Sequence, residues 1–144
     1  MKTLLVTLAV FVSAANMKSC NHNKMKKEQV KEIVIDENMM VAPPKDETIK
    51  VSARINKNSI MELTVEYMGC KDDEFDLIFN KMWLKSMPPK GVLFLKKTPG
   101  KCTPQKTYTK TYYFDLKNVQ YSASDNVMLK IKNYTEYFKY SYGQ

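Results

Sequence analysis

Catalysis at neutral pH needs a proton carrier, an activated nucleophile or a metal cage, and residues suited to these are scarce in this chain. The single histidine, His22, stands two places after Cys20 in a polar stretch that reads as a linker. A general base or a Cys–His nucleophile has to be aimed by a rigid scaffold, which a linker does not supply. GxSxG, a P-loop, a dinucleotide glycine fingerprint and HExxH are all missing. The densest polar cluster is Lys71-Asp72-Asp73-Glu74-Phe75-Asp76. Its carboxylates could ligate calcium, but the spacing is not that of an EF-hand and no glycine follows. A solvated turn that keeps the neighbouring apolar strand from aggregating accounts for it better. Glycoside hydrolysis would need two carboxyl groups about 5–10 Å apart across a cleft, and nothing in the sequence marks one. The expectation is therefore a non-enzymatic protein with no metal and no cofactor.

The three cysteines divide into one and two. Cys20 follows an amino-terminal stretch with Lys2, the apolar run Leu4–Val12 and the small residues Ser13-Ala14-Ala15. This is the layout of a secretory signal, and its apolar run is too short to span a bilayer. Cleavage after Ala15 would release a soluble product from Asn16. Alternatively, Met17-Lys18-Ser19-Cys20 resembles a degenerate bacterial lipobox, with Lys18 where a small or apolar residue is usual. In that reading Cys20 becomes the acylated first residue, and the polar stretch behind it is a tether. Loss of Lys2 and Lys18 would lower the net charge from +8 to +6. The chain thus resembles the small β-sandwich lipoproteins of bacterial envelopes. The resemblance implies export to the cell envelope, membrane-anchored and either periplasmic or surface-exposed, with plain secretion as the alternative. It implies membrane contact through the lipid, and it transfers no site residues.

The expected order is a signal peptide over residues 1–19, a tether or linker over 20–45 and a β-domain over 46–144. Within the linker, Lys24–Lys31 could carry a helical turn and Val30–Ile35 a short strand; so few residues do not decide. Pro43-Pro44 breaks any regular element there. From Asp46 onward the apolar pattern has a period of two, as in Ile49/Val51/Ala53/Ile55 and Met61/Leu63/Val65/Tyr67. It recurs in Phe75–Phe79, Val92–Leu95, Tyr108–Leu116, Val127–Ile131 and Phe138–Tyr142. About seven half-buried strands separated by turn clusters predict an all-β fold, an antiparallel β-sandwich, with a small β-barrel as the alternative. If consecutive strands alternate in direction, the loops bearing Cys70 and Cys102 fall at the same pole. In an oxidising compartment these two should form a disulfide.

Ten of the sixteen aromatic residues lie between Tyr108 and Tyr142. Tyr113 and Tyr137 fall on strand faces shared with Thr and Lys, which suits a contact surface, although strand propensity alone would also place tyrosines there. Residues 84–144 carry eleven basic and three acidic side chains, against five and eight over 46–83. All but one of the 23 basic residues are lysine, which with export disfavours nucleic acid. The expected partner is an unidentified protein or glycan, with an anionic one fitting the charge. The candidate surface is Tyr113, Tyr137 and Lys139, with Pro88, Pro89 and Lys90 from a rigid turn. That turn also suits the main alternative, a secreted inhibitor of a foreign hydrolase. A carbohydrate-active enzyme ranks third.

Overall fold

The computed structural model describes residues 30–56, 58–104 and 106–143. The stretch expected to be a signal, and Cys20, lie outside the described residues. In chain order the strands are β1 (Val30–Glu32), β2 (Val34–Ile35), β3 (Lys50–Ile55), β4 (Ile60–Gly69), β5 (Glu74–Leu84), β6 (Lys90–Thr98), β7 (Lys106–Asp115), β8 (Asn126–Ile131) and β9 (Phe138–Ser141). They build a four-stranded sheet, β1-β7-β4-β3, packed on a five-stranded sheet, β2-β5-β6-β8-β9. The two sheets do not close on each other, so the fold is a β-sandwich and not a barrel.

Alternation works as the period-two pattern requires. In β4, Met61, Leu63, Val65 and Tyr67 are buried, while Glu62, Thr64 and Glu66 face outward. Phe75, Leu77 and Phe79 of β5 meet them from the other sheet, together with Leu93, Leu95, Val127, Leu129, Ile131 and Tyr140. Burial of each such side chain contributes about 1.5–3 kcal/mol, which is why the parity of every strand is fixed.

The sheets are mixed, not purely antiparallel. β3, β4 and β7 pair antiparallel, as do β5 with β6 and β8 with β9. β6 and β8 pair parallel, because β7 leaves for the other sheet between them and the chain returns in the original direction. The other two parallel pairs come from a segment expected to be linker. β1 lies beside β7, β2 beside β5, and the buried Ile33 marks the step from one sheet to the other. Among the described residues, strands of both sheets thus already come from Val30–Ile35, ahead of Asp46. Two and three residues are too few for periodicity to reveal a strand; the waiting sheet edges make them strands.

The rest of that segment is a strap. Ile78 and Phe94 are register partners on the outward face of the five-stranded sheet, yet are only 5% and 6% exposed. On the same face, Asn80 Nδ2 donates to Met39 O at 2.9 Å, and Asp46 N donates to Tyr134 Oη at 3.0 Å. The chain from Asp36 to Asp46 thus crosses the upper part of this face and covers that apolar pair.

β5 also carries a bulge. Phe79 opposes Leu93 and Trp83 opposes Gly91, so Asn80–Met82 stand against Val92 alone. Strict alternation would point Lys81 into the core; instead its φ of 59° turns it out to solvent. Trp83 thereby keeps core parity, stacked edge-on to Phe79 and tilted against Tyr121.

Candidate interaction surface

The bulge and the strap leave one region of the five-stranded sheet uncovered. Its centre is a row of register partners running across four strands: Leu84 on β5, Lys90 on β6, Met128 on β8 and Lys139 on β9. Apolar and basic side chains alternate along it. Lys130 stands next on β8, and Tyr137 precedes β9. The Lys90 and Lys130 ammonium groups lie 5.1 and 4.8 Å from the centroid of the Tyr137 ring. Each such contact is worth about 0.5–1 kcal/mol at an exposed site, and together they spread the two lysines around one ring. Among the described residues, no carboxylate lies within ion-pair distance of Lys90, Lys130, Lys132 or Lys139, whereas Lys50 and Arg54 of the other sheet and Lys117 just after β7 all have acidic partners. The uncovered face is therefore a field of unneutralised positive charge set among apolar side chains.

At the β5–β6 turn the face meets a groove of about 770 Å³ lined by Trp83, Leu84, Met87, Pro88, Tyr121 and Ala123 among others. Met87 is 98% exposed at the tip, and Leu84 is 57% exposed. None of the lining side chains is a carboxylate, histidine or thiol. Ser86 Oγ donates to Pro88 O and Ser124 Oγ to Asn126 O. The groove offers shape and apolar surface, and both of its serine hydroxyls are held by backbone carbonyls.

The sequence-derived candidates divide. Tyr137, Lys139 and Lys90 come together on this face, and Pro88 lies at its lower margin. Pro89 is buried at the floor of the groove, and its carbonyl accepts from Met128 N at 2.8 Å, which holds β8 in place. Tyr113 points outward from the four-stranded sheet, opposite Glu62 and Val30; the sandwich separates it from Tyr137. Leu84, Met128 and Lys130 were not among the candidates. Their outward parity was legible from Trp83, Leu129 and Ile131, but their alignment with Lys90 depends on pairing between distant strands.

The acidic loop lies at the other pole, beside the bridge. Cys70 and Cys102 are joined, with Cα atoms 5.7 Å apart, and the bond links the two crossover loops, β4–β5 and β6–β7. Asp73 is buried there. It accepts from Cys70 N at 3.1 Å and Gly100 N at 2.6 Å and pairs with Lys97. Asp72 accepts from Lys101 N. A Cβ at Gly69 or Gly100 would run into the Asp73 and Asp72 carboxylates, respectively. Glu74 pairs with Lys110, and Asp76 with Lys31. Cys70, Asp72 and Asp73 come together in a way that could suggest a metal site, but the Cys70 sulfur is in the bridge and these carboxylates already hold loop N–H groups and lysines. The loop is a structural clamp.

No family model, no curated protein and no solved structure matches this chain.

Proposed function

We propose that this chain is an exported, non-enzymatic envelope protein, anchored by a lipid on Cys20, whose sandwich binds an anionic partner through the outer face of the five-stranded sheet. The observation that carries this reading is the set of unpaired lysines gathered around Tyr137, with Lys139 in the row beside them. Solvated surfaces normally intersperse both signs of charge, as the opposite sheet does. A one-signed face raises the local concentration of anions and speeds their association. The Cys70–Cys102 bridge suits an oxidising compartment, as does the expected leader over residues 1–19. A groove lining without carboxylate, histidine or thiol favours binding over turnover.

Two experiments test this. Retention on a dextran sulfate column should fall with salt and drop sharply in Lys130→Glu/Lys139→Glu; equal retention of the variant contradicts the reading. A clickable fatty acid should label the wild type and not Cys20→Ala. No label on the wild type removes the anchor and leaves plain secretion. The inhibitor reading keeps one observation of its own, the fully exposed Met87 standing over an apolar groove. Stoichiometric capture of one hydrolase, lost on replacement of Pro88 and Lys90, would favour it instead.

A further inference from the structure

We infer that the anionic partner is a lipid surface. The sandwich lies against it with the β5–β6 end of the five-stranded sheet, Leu84 and Met87 entering the headgroup layer while Lys85, Lys90, Lys130 and Lys139 meet the phosphates. This deepens the reading of the face as anion-binding and rests on it.

Three features select lipid over other anions. First, the row Leu84–Lys90–Met128–Lys139 alternates apolar and basic side chains. A bilayer interface rewards both, with acyl boundary for the one and negative surface charge for the other. A soluble polyanion rewards only the second, and leaves Met87 and Leu84 exposed to water. Second, the charge is all lysine. Lysine ammonium groups are compact point charges suited to a diffuse surface potential, whereas recognition of particular phosphate or carboxylate groups favours the arginine fork. Third, the Tyr137 ring is already engaged by two ammonium groups, so it is not a free platform for a sugar ring. Asp125 and Glu136 stand just before β8 and β9 and outside the row; Glu136 shares a hollow with Lys130 and Lys132 and is, among the described residues, the one acid beside the contact, against the four lysines that face it.

All nine described strands lie within residues 30–143, so a chain starting at Asn21 carries the whole described face and no acyl group. That protein should sediment with vesicles of equimolar phosphatidylcholine and phosphatidylglycerol, and not with phosphatidylcholine alone. Lys130→Glu/Lys139→Glu should weaken sedimentation about tenfold or more, at about 1 kcal/mol per surface charge. Leu84→Ser/Met87→Ser should weaken it about fivefold, and by a clearly larger factor than it weakens dextran sulfate retention. All four sites are at the surface, so unfolding temperatures should stay within a few degrees of wild type and report that the fold is intact. Retention on dextran sulfate without vesicle binding refutes the lipid assignment and leaves an acidic glycan or protein as partner. Loss of both refutes the anion-binding reading as well. Undiminished vesicle binding by Leu84→Ser/Met87→Ser also overturns the inference, because a purely electrostatic contact would then suffice.

Discussion

Lys97 Nζ lies 3.0 Å from Asp73 Oδ2, tying the end of β6 to the loop that follows β4. The same carboxylate holds Cys70 N and Gly100 N, so one buried acid orders both loops that the disulfide then links. Burial alone would raise the Asp73 carboxyl, but the Gly100 N–H, the Lys97 ammonium and the Cys70 N–H outweigh it and hold it below the ordinary carboxylate value. A lowered folded-state pKa stabilises the fold above the unfolded value, and this contribution is lost as pH falls through the folded one. Asp73→Asn should therefore cost about 2–4 kcal/mol at neutral pH. In thermal melts taken from neutral to strongly acid pH, the gap to wild type should close as the solution is acidified. A gap that persists below the ordinary carboxylate range would show that shape, not charge, is what Asp73 supplies.

The bridge joins residues 32 apart in sequence. On the chain-entropy account, closing such a loop contributes about 3–4 kcal/mol. Cys70→Ser/Cys102→Ser should lower the urea midpoint accordingly, and a reductant should shift the wild type and leave the double variant unmoved.

Gly91 sits beneath the only tryptophan. A Cβ there would lie 2.9 Å from Trp83 Cζ3 and 3.0 Å from a Leu129 methyl. Gly91→Ala should push the indole outward, cost about 1–3 kcal/mol and shift the tryptophan emission to longer wavelength. Unchanged emission would mean that Leu129 gives way instead.

A chain truncated to start at Asp46 loses β1, β2, Ile33 and the strap over Ile78 and Phe94. It should be destabilised by more than the roughly 2–5 kcal/mol of a large-to-small core substitution, and newly exposed apolar surface should show as dye binding or aggregation.

Tyr113→Ala and Tyr137→Ala separate the two sheet faces. Tyr137→Ala releases the two lysines it gathers and should weaken polyanion retention about two- to fivefold. Tyr113→Ala, on the far side of the sandwich, should leave retention at the wild-type level.

Alternation along each strand was legible in the residues themselves, because a strand's side chains take opposite faces at every step and a core rewards only one phase. That fixed the all-β class, the strands from Ile49 onward and the core face of most of them, though not the burial of Ile78 and Phe94, which lie on an outward face under the strap. The cysteine pairing followed as well, since strand direction alone brings Cys70 and Cys102 to one pole. Sheet membership was not legible: Tyr113 and Tyr137 have the same local pattern and stand on opposite sides of the molecule. Nor were β1 and β2, whose five residues become strands only because the edges at β7 and β5 are free to pair. The row Leu84–Lys90–Met128–Lys139 depends on register between strands far apart in the chain, set by backbone hydrogen bonds that no local pattern encodes. Local chemistry thus determined what each strand shows to the core. Non-local pairing decided which outward side chains stand together.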